Sequence, residues 1–297
     1  MERRKASDFP PEVLQLFDGY VHGGITRREF LDRAAKYAAA GLSTAAMLEA
    51  LVPNFAWAEL VKPDDKRIEA GYADYPAPKG SGAMRGYLVR PAAAKGKLPA
   101  VVVIHENRGL SPYIEDVARR LALEGYSAFA PDALAPAGGY PGDEDRARDM
   151  FARLDPHKRT EDLAASVDYV KLRPDFSGKV GAVGFCYGGT MVNTFATRFP
   201  DLAAAVPYYG AQPRPEDAAR IRSPMMLHYA SEDHRITGGW PAFGKVLEAH
   251  HVEHHAFIYP NTQHGFHNET TPRYDEAAAK LSWKRTLEFF HRHLKNA

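Results

Sequence analysis

The chain has 297 residues, 45% of them hydrophobic and 25% charged, and its 38 basic and 37 acidic side chains leave a formal charge of +1. That is ordinary globular composition, enough for one large α/β domain or two smaller ones, and the charge balance gives no ground for a nucleic-acid partner or a strongly anionic membrane surface. A single cysteine excludes an intramolecular disulfide and a cysteine-based zinc cluster, and leaves either an inert buried thiol or a reactive one.

Residues 1–65 stand apart from the rest. They carry Thr26-Arg27-Arg28-Glu29-Phe30-Leu31-Asp32, an alanine-rich run from Ala34 to Leu51, and then Ala56-Trp57-Ala58. An arginine pair before Phe-Leu, a moderately apolar run and a small-x-small site resemble a twin-arginine export signal, which implies a periplasmic protein. The same residues also read as a helical arm retained on a cytoplasmic protein, and the roughly 25 residues before the arginine pair are long for a signal. Lys36 and Glu49 interrupt the apolar run, which is too short for a stable membrane span.

Residues 66–297 alternate strand and helix. Met84 to Val89 reads as a strand, and the continuous apolar run Leu98 to Ile104 as one buried on both faces. Ser111 to Glu124 has helical spacing and stops at Gly125. The segment Tyr126 to Ala130 is a strand, and a Gly/Pro-rich loop follows from Ala135 to Gly142. Helices are predicted over roughly 143–154 and 159–172, a strand over Lys179 to Val183, and a helix over Gly188 to Arg198. Strands at Leu202 to Tyr208, Met225 to His228 and His255 to Tyr259, with helices over roughly 239–250 and 274–294, complete the pattern. Repeated βα units predict a mostly parallel sheet covered by helices on both faces.

The most informative stretch is Val183-Gly184-Phe185-Cys186-Tyr187-Gly188-Gly189. An apolar strand runs into Gly-x-Cys-x-Gly-Gly and a helix starts at once, which is the nucleophile-elbow pattern with Cys in the place of Ser. The nucleophile of such a turn sits on strained backbone, so its neighbours at minus two and plus two must lack side chains. The helix start behind it favours thiolate and a developing oxyanion, with the Tyr187 backbone N–H as first donor.

A thiol nucleophile needs a base, and the base needs an orienting acid. In this pattern both lie on loops after later strands, acid before base. Asp233, after the strand ending at His228, is the expected acid, with Glu232 as the fallback; His264, after the strand ending at Tyr259, is the expected base. His250, His251, His254 and His255 read as ordinary surface or core residues. A metal site from His105, His234 and His267 has no supporting ligand spacing.

With these residues in hand the chain resembles the dienelactone hydrolase family, enzymes of the α/β-hydrolase fold with a Cys–Asp–His triad. The likeness rests on Ile104-His105-Glu106-Asn107-Arg108-Gly109-Leu110, Gly184-Phe185-Cys186-Tyr187-Gly188-Gly189, Ser231-Glu232-Asp233-His234-Arg235-Ile236 and His264-Gly265-Phe266. The resemblance implies a role for Glu106, which in the family accepts the thiol proton and is displaced when substrate binds. A carboxylate beside a thiol disfavours the thiolate by charge repulsion, which also protects the cysteine from oxidation. The backbone N–H of Glu106 or Asn107 is the expected second oxyanion donor.

Family members that act on dienelactone hold the substrate carboxylate with arginines. One corresponds to Arg148, with Arg146 as the fallback, but the position four residues after the catalytic histidine is Asn268 here. An anionic substrate would then meet Arg108 or Arg235, with Phe266 among the aromatics walling the pocket. The expected function is therefore hydrolysis of a small-molecule ester or lactone through an acyl-enzyme. The alternatives are a general short-chain carboxylesterase and a catalytically silent ligand-binding member of the fold. The turn from Gly181 to Gly189 lacks the Gly-x-x-x-x-Gly-Lys pattern of a phosphate cradle and the loop from Ala135 to Gly142 is too proline-rich for one, so no nucleotide, flavin or metal cofactor is implied. Oligomeric state is left open.

Overall fold

The computed structural model describes residues 4–38, 43–57 and 59–295. Eight strands form one sheet in the order β1-β2-β4-β3-β5-β6-β7-β8. They are β1 (Ile68–Ala77), β2 (Gly82–Pro91), β3 (Leu98–Ile104), β4 (Ser127–Pro131), β5 (Phe176–Phe185), β6 (Ala204–Tyr208), β7 (Met225–Ala230) and β8 (His254–Tyr259). The first two strands pair antiparallel with each other, β2 pairs antiparallel with β4, and the remaining pairings are parallel. This is the mostly parallel α/β architecture expected from the βα alternation.

The central strands are apolar on both faces because both are covered. On one face, α5 (Glu144–Arg153), α6 (Pro156–Lys171), α7 (Tyr187–Arg198) and α10 (Trp240–Ala249) bury Phe151, Leu163, Phe195 and Leu247 against Val102, Ala182 and Leu227. On the other, α4 (Pro112–Leu123) and α11 (Glu276–Phe290) bury Tyr113, Val117 and Phe290 against Val101, Val103 and Val206. Among the predicted strands none corresponds to β1. That edge strand is mostly exposed and carries Gly71 and Asp74, so it lacks an apolar run.

Helix starts follow local chemistry. The Asp155 side chain accepts from the Lys158 N–H at 2.8 Å, with Pro156 at the first position of α6. Asp155→Ala is expected to cost about 1 kcal/mol, read as a lower urea midpoint at unchanged m-value.

The N-terminal segment forms α1 (Pro11–Val21), α2 (Arg27–Ala34) and α3 (Thr44–Leu51). Arg27 and Arg28 open α2, where Thr26 and Glu29 form a reciprocal capping box. The apolar residues of the arm have their own core: Phe17, Tyr20 and Phe30 pack together with Met47, Leu48 and Leu51. Ala39 to Leu42 and Ala58, parts of the signal-like pattern, lie outside the described residues. No helix among the described residues is long and apolar enough to cross a membrane. The chain leaving the arm is pinned to α4: the Val61 N–H donates to Asp116 Oδ1 at 2.8 Å and Arg119 Nε donates to the Val61 carbonyl at 2.6 Å.

Candidate active site

Strand β5 ends at Phe185, and α7 starts at Tyr187, leaving Cys186 alone on the turn between them. Its backbone has φ 55° and ψ −113°, a region that side-chain-bearing residues rarely adopt. The Cys186 N–H donates to the Tyr208 carbonyl at 3.1 Å and its own carbonyl accepts from the Thr190 N–H, so the strain is held from both sides. The glycines expected on either side are demanded by backbone contact. A Cβ on Gly184 would lie 2.2 Å from the Gly188 carbonyl oxygen, and one on Gly188 would lie 2.1 Å from that of Ile104.

Two later loops carry the residues expected as acid and base. Asp233 follows β7 and His264 follows β8, both buried. The His264 Nδ1–H donates to Asp233 Oδ2 at 2.5 Å, so the ring's other nitrogen, Nε2, faces the cysteine; it is buried and has no hydrogen-bond partner within the protein. Glu232 stays exposed, bonded to the Ser231 hydroxyl. Burial pushes the Cys186 thiol up, but His264 and His22 outweigh it and hold the thiol well below its ordinary range. Burial opposes the charge of His264 as well, yet Cys186 and Asp233 raise its affinity for a proton.

Glu106 follows β3 and lines the same cavity as Cys186. Its Oε2 accepts from Asn268 Nδ2 at 3.0 Å, while Asn268 Oδ1 accepts from the Thr270 N–H and hydroxyl. Asn268, where an arginine was looked for, thus orients Glu106. Burial and the neighbouring Cys186 push the Glu106 carboxyl up to about 7. Below about 4.5 both folded and unfolded chains hold this proton; between 4.5 and 7 only the folded chain does, and stability is lost as pH rises. Glu106→Gln is therefore expected to stabilise the fold by about 1–3 kcal/mol at pH 8 and to leave it unchanged at pH 4, measured as urea midpoints at the two pH values.

The other candidates are dispersed. Arg108 pairs with Glu144 at 2.8 Å and lines the cavity. Arg148 lies over the Tyr20 ring, 4.2 Å from its centroid, and pairs with Asp145, outside the cavity lining. Arg146 starts α5 through its N–H bond to Asp143. Phe266 is fully buried among Tyr208, Tyr209 and Tyr259, and Tyr187 points its hydroxyl at Arg159. The histidines of the other motif loops do not converge: His105 accepts from the Ala133 N–H, His267 bonds the Tyr113 hydroxyl, and His234 is exposed.

The arm supplies what the sequence did not announce. His22, just past α1, reaches Cys186, with Nε2 3.5 Å from Sγ, and its ring stands edge-on to His264 with centroids 4.9 Å apart. His22 Nδ1 faces Asp18 Oδ1 at 3.2 Å. Burial opposes its charge, but Asp18 and Cys186 raise its pKa to about 10. Asn107 Nδ2 donates to the Val21 carbonyl at 2.8 Å, and Tyr20 hydrogen-bonds Asp145. Arg273 approaches Asp18 at 3.6 Å and faces the cavity, with Nε and Nη1 buried and without hydrogen-bond partners in the protein. With the arm seated, the cavity beside Cys186 is only about 30 Å³.

The family model described as "Dienelactone hydrolase family" matches residues 84–294. The chain belongs to the dienelactone hydrolase family. It is a dienelactone hydrolase-like hydrolase, and a second model, described as "YqhI-like", matches residues 1–37, the first part of the arm. A protein of Escherichia coli K12, "Putative hydrolase fragment YghX", is 54% identical over 115 residues, 39% of this chain and 98% of that one. From the same organism, the "Putative carboxymethylenebutenolidase" is 30% identical over 246 residues, 78% of this chain and 90% of that one. The crystal structure of the "Putative Dienelactone Hydrolase" of Klebsiella pneumoniae is similar with a TM-score of 0.66 at 27% identity, covering 75% of this chain and 99% of that one.

Proposed function

We propose that this dienelactone hydrolase family member cleaves a small carboxylic ester or lactone through a covalent acyl-enzyme on Cys186. The observation that carries this reading is the Asp233–His264 bond of 2.5 Å, which leaves a buried, unpartnered His264 Nε2 facing the thiol on the strained turn. Cys186 Sγ attacks the carbonyl carbon, and the carbonyl electrons move to oxygen, stabilised by the backbone N–H groups of Tyr187 and Asn107. The C–O bond then breaks, and the leaving alkoxide takes the proton from His264. Water attacks the resulting thioester while His264 takes its proton, and the carboxylic acid leaves with Cys186 restored. The proton the resting thiol sheds lies on His264, and Glu106, its carboxyl pushed up to about 7, is mainly in its acid form below that pH and there does not repel the thiolate.

Arg273, with guanidinium nitrogens unpartnered by hydrogen bonds in the cavity wall, favours a substrate with a carboxylate. A space of about 30 Å³ holds little more than one water, so substrate enters by displacing the Val21–His22 end of α1. The test compares saturable turnover of p-nitrophenyl acetate with that of an unsaturated lactone bearing a carboxylate. Higher kcat/KM for the anionic lactone is expected; saturable hydrolysis of the simple ester alone would leave a general carboxylesterase. A silent ligand-binding protein would show neither activity, nor stoichiometric alkylation of Cys186 that is lost in His264→Ala.

A further inference from the structure

His22, Cys186 and His264 present one ligand atom each, all within 4.8 Å of one another. In a tetrahedral zinc site with Zn–S near 2.3 Å and Zn–N near 2.0–2.1 Å, a sulfur and a nitrogen ligand stand about 3.6 Å apart. The observed His22 Nε2 to Cys186 Sγ distance is 3.5 Å, so one edge of such a tetrahedron is already formed; the other two are no longer than 4.8 Å and close by shortening of at most about 1.4 Å.

What surrounds the three atoms fits a metal as well as the atoms do. Metal-binding histidines generally donate their second ring N–H to a carboxylate, which fixes the ring and raises its basicity. His264 Nδ1 bonds the Asp233 carboxylate at 2.5 Å, and His22 Nδ1 bonds the Asp18 backbone carbonyl, the other usual partner, at 2.8 Å, with the Asp18 carboxylate Oδ1 at 3.2 Å. His264 Nε2 is buried, on a residue 6% exposed, and has no hydrogen-bond partner in the protein besides the thiol it faces, which leaves its lone pair open to a cation. Two imidazoles and a thiolate form a borderline-soft donor set that suits zinc and its neighbours and does not suit magnesium or calcium. Arg235 Nη2 donates to His22 Nε2 at 3.3 Å and Arg235 Nε pairs with Asp18 at 3.9 Å; the side chain is half-exposed at the rim, and a bound cation takes the place of its donation to His22.

We propose that His22, Cys186 and His264 bind a thiophilic divalent cation of the zinc class, which ties the N-terminal arm to the nucleophile and holds the active site closed. On binding, the thiol and any imidazolium N–H of the three ligands pass their protons to solvent, and three metal–ligand bonds form with no change of oxidation state. The fourth position is left to water. That the bound state is inactive rests on the reading of Cys186 as nucleophile; the binding itself does not.

The test uses the metal-free full-length chain titrated with Co²⁺, a spectroscopic stand-in for Zn²⁺. One ion per chain and a thiolate-to-cobalt charge-transfer band are expected, with the band erased by Zn²⁺ and absent in Cys186→Ser. His22→Ala should weaken Co²⁺ binding by at least about tenfold, and Asp18→Asn, which spares all three ligands and the backbone carbonyl bonded to His22 but removes the carboxylate charge beside it, by about tenfold. Zn²⁺ should raise the Tm of the native chain reversibly by chelator, and raise that of folded His22→Ala far less. Native-strength binding by both His22→Ala and Asp18→Asn, or cobalt binding without the thiolate band, would overturn the proposal. The hydrolase reading fails separately: an intact cobalt band in a chain that never acylates Cys186 would leave the metal site standing and remove only its inhibitory consequence.

Discussion

Cys186→Ala is expected to lower kcat/KM for ester hydrolysis by about 10⁴-fold while leaving the fold intact. Losses of this size arise when a covalent path is removed, since the oxyanion donors and the binding surface alone retain only a small part of the acceleration. Alanine fits the site: the side chain touches His22 and sits partly exposed in the cavity, so truncation leaves no large void in the core. The stability readout and the kinetic readout should therefore separate, with a near-native urea midpoint and almost no turnover. Asp233→Asn acts through the same unit, because an amide lets the His264 ring turn or change tautomer, and combining it with Cys186→Ala should add almost nothing.

Gly188→Ala is expected to damage both stability and chemistry. The added methyl would lie 2.1 Å from the Ile104 carbonyl oxygen and 2.8 Å from that of His105. Ile104 ends the central strand β3 and His105 follows it, both fully buried, and their backbone cannot yield as a flexible side chain can. The start of α7 must retreat from the sheet instead, at a cost of about 3 kcal/mol. The retreat moves the Tyr187 N–H and Cys186 away from His264, and a displacement of about 1 Å costs roughly 10²-fold in rate. Gly96→Ala provides the control, since a methyl there meets nothing within 4 Å, and its effect should stay within about 0.5 kcal/mol.

The parts of the site legible in the sequence are those whose residue type and place in the fold are both constrained by chemistry. A thiol on a Gly-x-Cys-x-Gly-Gly turn between an apolar strand and a helix has few other uses, and acid and base recur on loops after later strands in a set order. The sheet was legible wherever strands are buried on both faces, as at Val101 to Ile104. It was not legible at β1, whose residues are mostly exposed and whose place is set by pairing with β2. The arm was opaque for a different reason. His22 meets Cys186 across 164 residues, and nothing local distinguishes it from the other histidines. The alanine-rich run that resembled an export signal contributes Met47, Leu48 and Leu51 to the core of the arm, and an apolar helix face looks much the same in either setting. Asn268 shows how position misleads: at the family's arginine position the chain has an amide that bonds Glu106, while Arg273, five residues on, lines the cavity.

The most direct test of the account is intact-protein mass spectrometry after rapid quenching of the full chain with a slowly deacylated ester. The account predicts one acyl group per chain, mapped to Cys186, formed before steady state and absent in Cys186→Ala and strongly reduced in His264→Ala. Turnover without an adduct, together with unreduced activity in Cys186→Ala, would contradict it.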